Sequence, residues 1–292
     1  MSGSKTLSGW KTLGRIAPEE LTEARLQLHH AVQLVAIGVG RSLIPERPDD
    51  SHTNLVWDPD EASWLGEEIP GSEGVKAGLK PADLTFFLTR RGGEGHDELE
   101  LAGHTLEQAV AWLRQALDRF GVDPGRVSMH AHYQIPDHPT ASEGRPFDGG
   151  LRSHFEELAR WYADAHLLLA ELRREHPTAE IRTWPHHFDI ATLLRQEVEG
   201  APGGEARTVG VGMTPGDEHY PVPYFYVTPW PYPEAPDLPE LPAGGEWHTD
   251  SWIGAILQAP RLTELDGAEQ RRRAEEFLGA AVGAAEELVA SG

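Results

Sequence analysis

Apolar residues recur at three- and four-residue intervals in four stretches of this chain, and each stretch predicts a helix. Leu21, Ala24, Leu28, Ala31 and Val35 mark one face of a segment from about Pro18 to Gly38. Pro18 suits a first helical turn, and Glu19, Glu20 and Glu23 complement the positive end of the helix dipole. Leu106, Val110, Leu113, Leu117 and Phe120 predict a second helix. Thr105 and Gln108 form a capping box at its start, and Gly121 and Pro124 end it. The third helix has the clearest stripe: Leu151, Phe155, Leu158, Tyr162, Ala165, Leu169 and Leu172. A last helix starts at Asp266 and turns Ala274, Phe277, Leu278, Ala281, Ala285 and Leu288 to one side.

Shorter runs between these stretches read as strands: Asn54–Trp57, Leu84–Thr89, Glu98–Leu101 and Val127–Ile135. In the last of them Met129, Ala131, Tyr133 and Ile135 alternate with His130, His132 and Gln134, the period of a half-buried strand. Further runs lie at Ile181–Leu193, Thr208–Met213, Tyr224–Thr228 and Trp247–Leu257. Gly66–Pro81 is glycine-rich and reads as loop, as does the proline-studded Pro229–Pro242. Helices separated by runs of strands, without regular βαβ alternation, predict an α+β fold. The expected architecture is two similar halves, each a short, mostly antiparallel sheet packed on long helices. The N-terminal half spans residues 1–135, a linker 136–150, and the C-terminal half 151–292. Glu19-Glu20-Leu21 and Glu156-Glu157-Leu158 open two of the long helices, with His29 and His166 at matching distances. That pattern fits either an internal duplication or two unrelated layers with chance identities.

Composition narrows the function classes. The 292 residues carry 47 Asp and Glu against 25 Lys and Arg, a formal charge of -22. Such a surface repels phosphate backbones and anionic lipid, so neither nucleic acid nor membrane is an expected partner. Lysine occurs only at Lys5, Lys11, Lys76 and Lys80. This balance fits a halophilic protein whose dense carboxylates hold water and cations, or an arginine-favouring GC-rich genome with an acidic surface. There is no cysteine, so thiol catalysis, thiolate metal sites and disulfides are excluded. No apolar run reaches membrane-spanning length and Met1–Glu20 lacks a signal core, so a cytoplasmic location is expected. P-loop, Rossmann and nucleophile-elbow motifs are missing, which argues against an ATPase, a dinucleotide dehydrogenase or an α/β-hydrolase.

Three motifs in the second half combine His, Asp and aromatic residues. They are Pro185-His186-His187-Phe188-Asp189, Thr214-Pro215-Gly216-Asp217-Glu218 leading into Pro223-Tyr224-Phe225-Tyr226-Val227-Thr228, and Leu241-Pro242-Ala243-Gly244-Gly245 leading into Trp247-His248-Thr249-Asp250. Together they resemble a bacterial family catalogued as a domain of unknown function, family 5996. The resemblance covers about Trp184–Ala255 and extends more loosely to the first helix and Ser51–Asp58. It implies a shared fold and no particular activity. The family has aromatic residues where this chain has Ser51, His52 and Thr53.

Strand alternation predicts that His187 and Asp189 point together, with Phe188 turned into the core. On the same reasoning His248, Asp250 and Trp252 share a face, and Asp217, Glu218 and His219 follow a Pro-Gly turn at a strand mouth. Convergence of these segments makes His187, Asp189, Asp217, Glu218, His248 and Asp250 the candidate site, walled by Trp184, Tyr226, Trp230 and Trp247. For a divalent metal such as zinc, manganese or iron(II), His187, Asp189, His248 and Asp250 are the expected ligands. Without a metal, the same groups form a His–carboxylate pair suited to proton transfer. The resulting expectation is a small-molecule enzyme with a His/carboxylate pocket. The alternative is a non-catalytic ligand-binding or scaffold protein in which these residues are structural. His130 and His132 have a chelating spacing but also suit a solvated strand face, and His29 and His30 suit helix packing.

The charge balance has a direct consequence. Repulsion between surface carboxylates acts over about 30 Å at 0.01 M salt and about 3 Å at 1 M. For a halophilic surface, Tm rises steeply as KCl is raised from millimolar to molar; a flat Tm contradicts that reading.

Overall fold

A computed structural model describes residues 9–91, 95–196, 207–234 and 238–291. In chain order its regular elements are α1 (Thr22–Gln33), β1 (Val56–Asp58), β2 (Ser63–Leu65), β3 (Val75–Lys80), β4 (Thr85–Arg90), β5 (His96–Glu100), α2 (Leu106–Arg119), α3 (Pro139–Ser142) and α4 (Arg152–Leu172). They continue with β6 (Arg182–Trp184), β7 (Asp189–Gln196), β8 (Arg207–Thr214), β9 (Tyr224–Trp230), β10 (Glu246–His248), β11 (Gly254–Gln258), α5 (Pro260–Thr263) and α6 (Gly267–Ser291). The class is α+β with two antiparallel sheets, as the hydrophobic pattern predicts. Among the described residues no helix is long and apolar enough to cross a membrane.

Packing divides the chain into two compact units whose boundaries cross it more than once. The first unit is Glu20–Ala159 with Arg182–Phe188; the second is Met1–Glu19, Arg160–Ile181 and Asp189–Gly292. The N-terminal arm thus belongs with the C-terminal elements, and the segment just before β7 belongs with the N-terminal ones. Residues 136–150, expected as a linker, lie inside the first unit. There Phe147 is buried, its backbone bonds to Gly103 and His104, and the Asp148 N–H donates to Gln27 Oε1 at 2.8 Å. The Pro- and Gly-rich composition that suggests a linker instead builds short capped turns, with His138 capping α3 and Asp148 capping the next turn.

In the first unit β1 to β5 form a meander in sequence order, every pair antiparallel. β3 falls in the glycine-rich stretch expected to be loop. Gly78 is there because the Phe87 ring lies over it, 2.3 Å from where a Cβ would stand. The edge strand β5 is charged and half-exposed, which protects an open sheet edge. The expected capping box at α2 forms: Thr105 Oγ1 accepts from Gln108 N–H, and Gln108 Oε1 accepts from Thr105 N–H. The first predicted helix is a 3-10 turn (Pro18–Leu21), then α1, then a wide π-helical stretch, Leu34–Arg41. Leu34 to Gly40 are buried on all sides, so no periodicity marks the change. Val127–Ile135 forms no strand, contrary to its alternation. Among the described residues no strand pairs with it; side chains hold it instead, with Ser42 Oγ bridging the Ser128 backbone and Tyr133 Oη donating to Gln33 Oε1 at 2.7 Å.

In the second unit β7 to β11 take the order β10-β11-β9-β8-β7, again antiparallel. One sheet face carries Ile190, Val209, Val211, Met213, Phe225, Val227, Ala255 and Leu257, all buried. α6 packs across β8, β9 and β11 with Phe277, Ala281 and Ala285 buried. The arm before α1 is tied to α6 by Gln270, whose side chain is fully buried. Its Oε1 accepts from Leu13 N–H at 2.9 Å and its Nε2 donates to Leu13 O at 3.0 Å, the two bonds of a strand pair made by one amide. Asp266 Oδ1 caps α6 by accepting from Ala268 and Glu269 N–H. Glu269 pairs with Arg272 one turn on.

One buried histidine makes the fold acid-sensitive. His29 Nε2 donates to Pro185 O at 2.9 Å and its ring stacks on Phe188 at 5.0 Å. Burial pushes its pKa down to about 3, outweighing the pull of that hydrogen bond. The unfolded chain takes the proton first, near the ordinary value of about 6.5. His29 therefore stabilises fully above that pH and loses about 1.4 kcal/mol for each unit of acidification towards about 3. Urea unfolding of wild type and His29→Gln across pH 4–7 should give slopes differing by about one proton. Equal slopes contradict the assignment.

Candidate functional site

The sheet face of the second unit opposite α6 is polar. In antiparallel pairs, directly opposed residues project to the same side. The pairs Ala191–Gly212, Gly212–Tyr226, Tyr226–Ile256 and Ile256–Glu246 therefore run as one row across the sheet. Alternation adds Asp189, Tyr224 and His248 to this face. Each stands at or near a strand end, where a loop can deliver further groups.

Tyr226 reaches across a neighbouring strand. Its ring lies over Gly212, whose absent Cβ would be 2.7 Å from both Cζ and Oη. The hydroxyl passes beyond β8 and donates to Asp189 Oδ2 on β7. Tyr224 Oη donates to Asp217 Oδ2 at 2.6 Å. Asp217 Oδ1 accepts from the N–H groups of His219 and Tyr220, both at 2.8 Å, so the carboxylate closes its own turn. Gly216, with φ of +110°, permits that turn, as its place after Pro215 predicts. The turn delivers Tyr220, whose hydroxyl lies 2.9 Å from His248 Nδ1. The His248 ring stacks on Trp252 at 4.6 Å and 27°.

Electrostatics keep the three hydroxyls protonated. Burial, followed by the Asp189 charge, holds Tyr226 well above its ordinary pKa. Burial and the hydrogen bond to Asp217 do the same for Tyr224. Tyr220 is raised by burial and then by Glu246, Asp217 and Asp250. Tyr220, held protonated, can donate to Nδ1, and in that tautomer the imidazole proton of His248 lies on Nε2. That atom is buried and has no hydrogen-bond partner among the described residues. A buried imidazole N–H without a partner is costly unless an acceptor occupies the adjacent space.

The three motifs meet in part. Asp189, Asp217 and His248 share the polar face, one from each motif. His187 does not join them, because residues 185–188 form a turn rather than a continuous strand. Phe188 adopts φ of +58°, which breaks the alternation that would align His187 with Asp189. Phe188 itself is buried as expected, against His29 and Trp64. His187 is exposed in the first unit, its ring 4.3 Å from that of His186. Glu218 is solvent-exposed, and its carboxylate lies 3.8 Å from His219 Nε2. Asp250 is also exposed, because β10 ends at His248 and the chain folds back. Trp252 meets His248 through that fold, its ring taking the space beside Gly254 where a Cβ would stand.

The expected wall is only partly assembled. Tyr226 belongs to the network; Trp247 is half-buried with its indole N–H on Pro239 O. Trp230 is 50% exposed at the far end of β9, against Tyr232. Trp184 lies in the first unit, beside His186. Among the described residues no group of three or more His, Asp or Glu side chains is placed to hold a metal ion, so the set His187, Asp189, His248 and Asp250 is not assembled. Tyr220, Tyr224 and Trp252 were not in the predicted set. For Tyr224 the signal was its alternation with Tyr226 along β9; Tyr220 and Trp252 lie in turns, where no periodicity marks them.

No protein-family model, no curated protein and no solved structure matches the chain.

Gly212 is the position on which the network rests. A methyl group there meets Ile190 O and the Tyr226 ring, both at 2.7 Å, and the backbone oxygen cannot move aside. Gly212→Ala should cost about 1–3 kcal/mol in urea unfolding. Gly279→Ala, on α6 with open space around it, should gain about 0.5–1 kcal/mol. An unchanged stability for Gly212→Ala contradicts the packing of Tyr226 over β8.

Proposed function

We propose that the polar sheet face of the second unit is a small-molecule site in which His248 Nε2 donates to an oxygen of the ligand. The observation that carries this reading is the buried, unpartnered Nε2 in a network whose hydroxyls otherwise have partners. A carbonyl or carboxylate oxygen is the complementary group. Tyr220 behind Nδ1 holds the imidazole in the tautomer whose Nε2–H faces the ligand, the orienting contact of a general acid–base histidine. Acid–base chemistry on a small oxygen-bearing substrate is the enzyme reading that fits. Asp217, with both oxygens engaged by its own turn and by Tyr224, serves as a positioning group. The resemblance to family 5996 is part of the same reading, since its three quoted motifs supply Asp189, Asp217, Tyr224, Tyr226 and His248.

A non-catalytic ligand-binding role uses the same His248 donor without proton transfer. A fragment screen of small ketones and carboxylates, followed by imidazole nitrogen NMR, tests both. We expect hits that shift His248 Nε2 and that bind about tenfold or more weakly to His248→Phe. Tyr220→Phe should leave binding within about threefold while changing the imidazole tautomer ratio. Hits that bind the His248 variant as tightly as wild type, or no hit that perturbs Nε2, overturn the proposal.

A further inference from the structure

In a chain with 47 acidic and 25 basic residues, a guanidinium without a carboxylate partner stands out. Within the first unit Arg47, Arg91, Arg119, Arg145 and Arg152 each pair with Glu or Asp. Arg90 and Arg114 instead donate to the backbone carbonyls of Phe120 and Val127, and among the described residues Arg41 and Arg126 have neither a carboxylate nor a carbonyl partner. No carboxylate lies within ion-pair distance of either among the described residues. These two line an open cavity of about 350 Å³ together with Ser42, Ser128 and His130, and no acidic residue lines it.

The cavity is braced on both sides. Ser42 Oγ, just past the π-helical stretch, accepts from Ser128 N–H at 3.0 Å and lies 3.1 Å from Ser128 O. This joins the two segments that carry the lining residues. Arg41 is anchored from behind. Its Nη1 donates to His132 Nδ1 at 2.7 Å, since a guanidinium has no lone pair to offer. His132 Nε2 must then carry the ring proton, and it donates to Asp50 Oδ2 at 2.5 Å. Asp50 is thus engaged through His132 and does not cap the guanidinium. Ser128 Oγ accepts from His130 N–H at 3.2 Å, which leaves its own O–H to donate. The His130 ring and the Arg126 side chain have no partner among the described residues.

The cavity therefore offers two guanidinium groups, a hydroxyl and an imidazole, and no built-in acceptor of opposite charge. Guanidinium pairs match the oxygens of a tetrahedral oxyanion, and a volume of about 350 Å³ is at the small end of the roughly 300–1,000 Å³ typical of ligand sites. We propose that Arg41, Arg126, Ser128 and His130 form a binding site for a small organic phosphate monoester. The surrounding net charge repels anions in general, so only a specific site captures one.

The probe is phenyl phosphate, titrated calorimetrically at fixed ionic strength, with benzoate and sulfate in parallel. Wild type should bind phenyl phosphate saturably and more tightly than benzoate. Arg126→Gln, an exposed substitution that leaves the fold intact, should weaken binding about tenfold or more, and Arg126→Lys should recover part of it. His248→Gln should have no effect, which separates this cavity from the sheet-face site. Absence of saturable binding, a preference for benzoate, or equal binding by wild type and Arg126→Gln each overturns the proposal.

Discussion

The hydroxyl of Tyr226 can reach Asp189 only because nothing projects from β8 between them. Gly212 leaves a gap in the sheet surface, and the Tyr226 ring fills it. One hydrogen bond thereby ties β9 to β7 across an intervening strand, on a face where the backbone ladder already pairs them in sequence. The ring covers the bare backbone and supplies the apolar contact the glycine lacks. The hydrogen bond fixes the ring's direction. The Asp189 carboxylate, in turn, is held on a buried stretch of strand by a donor that burial keeps protonated. Each group satisfies hydrogen-bonding capacity of the other at a depth where unmet capacity is costly.

The same device recurs. Phe87 lies over Gly78 in the first unit, and Trp252 lies over Gly254 beside His248. In each case the glycine is a place where an aromatic ring is seated, not a place where the chain bends. This explains why β3 was hidden in a stretch that reads as loop. It also explains why Trp252 meets His248 although the turn between β10 and β11 destroys their alternation. Glycine signals flexibility in sequence when its partner is unseen; an aromatic residue on the facing strand reverses the meaning.

Much of the fold was legible. Helical periodicity at Leu106–Phe120 and Leu151–Leu172, the Thr105–Gln108 capping box and the class itself follow from local pattern, which acts over a few residues. What was not legible depended on partners distant in sequence. Val127–Ile135 has the burial rhythm of a strand, yet among the described residues no strand comes alongside, and Ser42 and Gln33 bond to it instead. Phe188 has a left-handed backbone that no local rule assigns to phenylalanine; its ring is held by His29 and Trp64. That single φ value separates His187 from Asp189 and dissolves half of the expected metal set. The other half fails at Asp250, where a strand ends two residues too soon. Asp189 and His248 share the polar face because each stands at a strand end, and Asp217 joins them from the turn between β8 and β9.

The dependence of this site on one cross-strand bond can be measured by a double-mutant cycle of Tyr226→Phe and Asp189→Ala in urea unfolding. Removing the hydroxyl alone or the carboxylate alone breaks the contact and leaves the other group in place, whereas removing both takes away the whole pair. The two singles should therefore sum to more than the double, with a coupling of about 1.5–3 kcal/mol, the range for a hydrogen bond to a charged group. Additive effects, with a coupling below about 0.5 kcal/mol, would show that Tyr226 and Asp189 act independently and that the polar face is not organised by their contact.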